Sequence, residues 1–223
     1  LPAYMEKDLG FKTSEVAPFI SLYWASMMIG RWGGAVGAFD FKPSVLKVMK
    51  FIAPYLAFGV FLLVNAIAKH DLTPFWIYPA IIFVMILADI ATKGNPARMV
   101  LIFSGMGILA LLIGMFTKGM VSIYAFTSVG LFCSIQWPAI FALAINGLGI
   151  HMTKGSNFLI MMIMGGAIIP PLQGLLADKL GSQPAYFIDI LCFLYLVFYA
   201  IRVPAILKEQ GINLDASAVK GGH

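Results

Sequence analysis

Residues 121–145 read VSIYAFTSVGLFCSIQWPAIFALAI, a stretch without one charged side chain. At about 1.5 Å per residue, a helix of this length crosses the ~30 Å hydrocarbon core of a bilayer. Near its middle stand Ser134, Gln136 and Trp137, which seek hydrogen bonds, and Pro138, which breaks helical bonding. Hydrocarbon offers no partners, so such groups persist at that depth only where protein or a water-filled cavity satisfies them. The stretch therefore predicts a membrane span that opens onto something other than lipid.

The rest of the 223-residue chain supports a membrane reading. Its residues are 61% apolar and 11% charged, against about 45–50% and about 25% in soluble domains. The apolar residues fall in long blocks rather than short periodic faces, which predicts an all-α integral membrane protein. The net charge of +5 does not predict nucleic-acid binding, because Lys and Arg lie scattered between blocks and form no basic face. Cys133 and Cys192 both lie inside apolar blocks and suggest no disulfide framework. The chain opens on Leu1 without a signal-peptide pattern. The expectation is a piece of a longer protein.

Seven spans are expected, at 16–38, 49–68, 75–91, 98–116, 121–145, 157–177 and 185–203. The gaps between them, such as KHDLTP, TKGNPAR, TKGM and DKLGSQP, are short, polar and rich in Gly or Pro, as turns between antiparallel helices should be. With residues 1–15 outside, the inner segments hold Arg31, Lys42, Lys47, Lys50, Lys93, Arg98, Lys154, Arg202, Lys208 and Lys220. The outer ones hold only Lys7, Lys12, Lys69, Lys118 and Lys179. The positive-inside rule then places the C-terminus in the cytoplasm. Tyr4, Trp76, Tyr78, Tyr124, Tyr186 and Tyr199 fit interfacial belts. Residues 1–207 form the transmembrane domain, and the polar tail at 208–223 is expected to be disordered.

Several groups inside the spans call for an explanation. Arg31 either snorkels to the headgroups, caps helix carbonyls, or forms a gating ion pair; Gly30, Gly33, Gly34 and Gly37 around it would let another helix approach. Tyr23 and Trp24 either fill a helix interface or stack on a sugar ring. The block NFLIMMIMGGAIIPPLQGLLADKLG is expected to break its helix twice, at Gly165-Gly166 and at Pro170-Pro171, as in the broken helices of transporters or as a static kink. Gln173 follows, a polar side chain directed inward. Asp89 and Asp189 are expected to be interfacial or partly solvated, and His151 lies in a loop without ligand spacing. Gln136 and Trp137 together suit a neutral, polyhydroxylated ligand, which needs directional hydrogen bonds and an apolar face. No metal or cofactor is implied.

Three stretches carry a resemblance: SLYWASMMIGRWGGA (residues 21–35), GLFCSIQWPAIFALAINGLG (130–149) and TKGSNFLIMMIMGGAIIPPLQGLLAD (153–178). In their order and wording they resemble the C-terminal half of the fucose permease and glucose/galactose transporter family of the major facilitator superfamily. The resemblance implies a proton-coupled symporter of a monosaccharide, working by alternating access in a bacterial inner membrane. It implies sugar contacts at Gln136, Trp137, Ser134, Tyr23, Trp24 and Gln173. Arg31, Gly165, Gly166, Pro170 and Pro171 would serve conformational change. Against the family pattern, the stretch 69–120 holds two extra spans. The N-terminal half, where the family keeps its proton-coupling carboxylates, is missing, so that half would be the partner of this chain. A seven-helix receptor is the rival reading, but the last span lacks a lysine for retinal. An intramembrane enzyme would need histidines within spans, and His70, His151 and His223 all lie outside them. A channel would need charged rings or a filter loop, and the sequence shows neither.

Overall fold

Apolar blocks of Leu, Ile, Val, Phe and Met leave the backbone no partners but its own, and helices follow. The computed structural model describes residues 1–36, 39 and 42–211. They form α1 (Thr13–Ala35), α2 (Pro43–Ile67), α3 (Tyr78–Thr92), α4 (Pro96–Phe116), α5 (Met120–Cys133), α6 (Gln136–Ile145), α7 (Met152–Met161), α8 (Gly165–Leu180) and α9 (Phe187–Glu209). No strand occurs among the described residues. Six stretches are long and apolar enough to cross a membrane: Ser44–Ile67, Thr73–Thr92, Pro96–Phe116, Met120–Ile145, Gly149–Leu180 and Pro184–Glu209. The chain is thus an all-α, multi-pass membrane protein. The first expected span also folds as a 23-residue helix, α1. Arg31 and its Ser, Tyr, Trp and Gly residues lower its hydropathy beneath that of the other six.

Local signals set the helix ends. Asn95 Oδ1 accepts the Ala97 and Arg98 amides at 3.0 and 3.2 Å, capping α4. Glu15 reaches back to the Lys12 amide at 2.8 Å ahead of α1. Gly94 (φ 72°) makes the turn between α3 and α4.

The chain divides into two compact units. The first comprises Leu1–Ala88 and Leu109–Ile135; the second comprises Asp89–Ile108 and Gln136–His223. In the first, α1 lies against α2 and α5 through small residues. A Cβ at Gly130 would fall 2.6 Å from the Tyr23 carbonyl oxygen, and one at Gly33 would fall 3.2 Å from Pro54. An aromatic ladder of Phe58, Phe61, Phe75 and Phe19 fills the unit, with successive ring centroids 5.9, 5.2 and 5.5 Å apart. In the second unit, Ala97 and Val100 of α4 meet Ala139 and Leu143 of α6 and Ala200 of α9. Small side chains again permit the approach.

Some expectations change. Tyr4 and Tyr78 are buried core residues rather than interfacial anchors, whereas Trp76 is exposed. The double break expected at Gly165-Gly166 and Pro170-Pro171 is a single one. A 3-10 turn at Met162–Met164 precedes α8, which runs unbroken through both prolines. A proline disturbs the turn N-terminal to it, and here the glycine-softened turn at 162–166 absorbs the distortion. The last helix continues six residues past its expected end, to Glu209. Gly37 and the tail from residue 212 onward lie outside the described residues.

Candidate functional site

The polar cluster of residues 134–138 sits where its span breaks. The helix α5 ends at Cys133, α6 begins at Gln136, and Ser134 and Ile135 form a turn. Pro138 explains the position: it offers no N–H to the Ser134 carbonyl four residues back, and its ring crowds that carbonyl. Ser134 turns its own hydroxyl to the Leu131 carbonyl at 2.5 Å. That hydroxyl is fully buried and faces Gly30 of α1, so closely that a Cβ at Gly30 would overlap it. Ser134 therefore lies in the α1–α5 seam of the first unit.

In the second unit the next residues diverge. Gln136 is buried, and its Nε2 donates to Ser104 Oγ of α4 at 3.3 Å. Trp137 is 39% exposed and packs beside Phe141, with ring centroids 6.5 Å apart. Ser104 is a functional candidate that sequence reasoning missed, because a single serine in an apolar helix carries no pattern. The asparagine cap and the α4–α6–α9 core hold it in place, as does Gly107, where a Cβ would fall 2.8 Å from the Phe193 ring. Gln173 of α8 donates to Asp189 Oδ2 of α9 at 2.7 Å. These two glutamines thus belong to separate hydrogen-bonded pairs. Gly165 is half-buried, and Gly166, Pro170 and Pro171 are exposed.

In the first unit, Tyr23 and Trp24 meet edge to face at 5.7 Å, with Trp24 64% exposed. Arg31 is exposed on α1, one residue from the buried Gly30. Deeper in this unit the Tyr78 hydroxyl bonds Ser26 and reaches the Thr127 carbonyl at 3.5 Å, tying α3 to α1 and α5.

Comparison with known proteins identifies the relatives. The chain is 32% identical over 170 residues to a glucose/galactose transporter of Brucella abortus, an alignment covering 75% of this chain and 41% of that protein. Over 204 residues it is 30% identical to a putative glucose/galactose transporter of Helicobacter pylori, covering 88% of this chain and 37% of the relative. The chain belongs to this sugar-transporter family. An L-fucose-proton symporter of Escherichia coli is a further member, 41% identical over 90 residues, which cover 40% of this chain and 20% of that protein. This chain spans about two-fifths of the length of the glucose/galactose transporters it matches, corresponding to their C-terminal portion. No family model matches the chain, and no solved structure does.

Proposed function

We propose that the chain is the C-terminal part of a secondary active transporter that carries a monosaccharide such as fucose, glucose or galactose together with protons. The observation that carries this reading is the broken span at 134–138, where a buried, hydrogen-bonded amide (Gln136) and an exposed indole (Trp137) occupy consecutive positions. An indole face stacks on the C–H face of a sugar, and an amide bonds a hydroxyl. Among the described residues no carboxylate bonds Gln136, whose partner is Ser104, so the pair suits a neutral ligand better than an ion. The names of the relatives agree with this substrate class.

In this reading Trp137 and Gln136 contact the sugar, with Tyr23, Trp24 and Gln173 as further contacts. Ser134 acts by holding the α1–α5 seam. Arg31 and the stretch from Gly165 and Gly166 to Pro170 and Pro171 serve the conformational change of alternating access. Proton coupling and the other part of the sugar site belong to an N-terminal half, consistent with the greater length of the relatives. The C-terminus faces the cytoplasm of a bacterial inner membrane.

The test is uptake of labelled L-fucose, glucose and galactose by the complete transporter carrying Gln136→Ala or Trp137→Ala. Both variants are expected to reach the membrane and to lose uptake by tenfold or more, on the order of two lost contacts. Wild-type kinetics in both variants would sink the assignment.

A further inference from the structure

We infer that Trp24 is the aromatic surface that α1 offers a sugar, and that Gly130 of α5 sets its place by letting Tyr23 pack behind it. The inference rests on the sugar-site reading above, which counts Tyr23 and Trp24 alike as contacts, and it divides their roles.

Consecutive residues of a helix point about 100° apart, so neighbouring rings do not both face one ligand squarely. The packing of α1 decides between them. Leu22 and Ser26 are fully buried, Tyr23 is half-buried, and Trp24 is 64% exposed. Tyr23 belongs to the seam with α5. A Cβ at the buried Gly130 would fall 2.6 Å from the Tyr23 carbonyl oxygen, 3.2 Å from Ser26 Cβ and 3.3 Å from Tyr23 Cδ2. The nearest of these atoms is backbone, which cannot step aside as the end of a side chain can. From that seam the Tyr23 ring meets the Trp24 indole edge to face, with centroids 5.7 Å apart and planes at 81°. Aromatic pairs favour this arrangement over a face-to-face sandwich, so Tyr23 steadies the indole. The exposure of Trp24 leaves it area for the C–H face of a sugar. All these residues lie in the first unit. Gly130 stays out of contact with the ligand; it is a positioning residue acting on Trp24 through Tyr23.

The test uses the complete transporter labelled with 5-fluorotryptophan, the Trp24 signal being assigned by its loss in Trp24→Phe, together with uptake of labelled L-fucose, glucose and galactose. In Gly130→Ala the added methyl has to push α1 back by several tenths of an ångström to reach ordinary contact at 3.4 Å or more. The Trp24 fluorine resonance should move in the sugar-free protein. KM should rise about tenfold with the maximal rate kept within about twofold, as when binding common to all states is lost. Gly33→Ala in the same helix, where a Cβ would lie 3.2 Å from Pro54, is the control. It should lower thermal stability while leaving KM and the Trp24 resonance in place. If Gly130→Ala does not reach the membrane, Tyr23→Leu removes the ring behind Trp24 without adding bulk, and should give the same shift and the same rise in KM. An unmoved Trp24 resonance or an unchanged KM in the variant that is expressed overturns the inference, as does Trp24→Ala with wild-type kinetics. Normal kinetics in both Gln136→Ala and Trp137→Ala would instead overturn the underlying sugar-site reading, so the two failures are distinguishable.

Discussion

Gly30→Ala should weaken the first unit sharply, while Gly34→Ala, one turn along the same helix, should not. At Gly30 an added Cβ would overlap the Ser134 hydroxyl, lie 2.6 Å from Ser134 Cβ, and lie 3.4 Å from the Leu131 carbonyl oxygen. Overpacking of this kind costs about 1–3 kcal/mol. Displacing the Ser134 hydroxyl also disrupts its bond to Leu131, worth about 1 kcal/mol. Alanine returns up to ~1 kcal/mol of helix propensity over glycine. The expected net loss is about 1–3 kcal/mol at Gly30. At Gly34 a Cβ meets nothing within 4 Å, so only the gain remains there. The two variants should therefore differ by roughly 2–4 kcal/mol. Thermal unfolding of the purified protein in detergent, followed by tryptophan fluorescence, reads the difference. The Gly30→Ala/Ser134→Gly double variant removes both clashing atoms and should regain most of the loss. Equal melting of Gly30→Ala and Gly34→Ala would refute the account of the seam, as would failure of the double variant to recover.

Tyr78→Phe removes the hydroxyl that bonds Ser26 and reaches Thr127. Ser26 keeps its 2.5 Å bond to the Leu22 carbonyl, so one interaction is lost and the cost should be about 1 kcal/mol in the same melting assay; unchanged melting would show the node to be idle. In the exposed link between α2 and α3, the Thr73 hydroxyl and amide bond the Asp71 carboxylate at 2.7 and 2.9 Å and hold its pKa below the usual aspartate value. A lowered folded-state pKa means that this contribution is complete above the ordinary aspartate range and fades as pH falls through the lowered value. Titration of Asp71 by NMR should show a midpoint below that of a reference peptide, moving back up in Thr73→Ala. A reference-like midpoint in the unsubstituted protein would contradict the turn geometry.

What could be read from the sequence follows the physics of each feature. Spans are legible because bilayer thickness imposes a minimum apolar length, and the expected 98–116 appears as Pro96–Phe116. The break in the fifth span is legible because Pro138 acts on a carbonyl at a fixed distance along the chain. Pro170 and Pro171 show the limit of the same rule, since where a distortion goes depends on which turn yields most easily. Side-chain partners are harder. Whether Ser134 faces a cavity or a helix depends on Gly30, more than a hundred residues away in the chain. Tyr78 reads as an interfacial tyrosine until Ser26 and Thr127 are brought to it. Ser104 gives no signal at all, because its meaning comes entirely from the glutamine it meets.

The stretch 69–120 shows why this matters for the site. By resemblance it is expected to be an added pair of spans. Physically it is woven into each unit. In the first unit, Tyr78 bonds Ser26, and Gly114 receives the Phe126 ring so closely that a Cβ would lie 2.6 Å from it. The Gly114 carbonyl also accepts the Ser122 hydroxyl at 2.6 Å. In the second unit, Ala97 and Val100 complete the core beneath α6, Gly107 receives Phe193, and Ser104 holds Gln136. A pair of helices that merely clung to the outside of a transporter would present side chains to lipid and leave the older contacts intact. This pair instead supplies a buried partner to the one amide on which the sugar reading depends. The hydrogen bonding of Gln136 is therefore a property of α4 and α6 together, and a substitution at Ser104 acts directly on that amide.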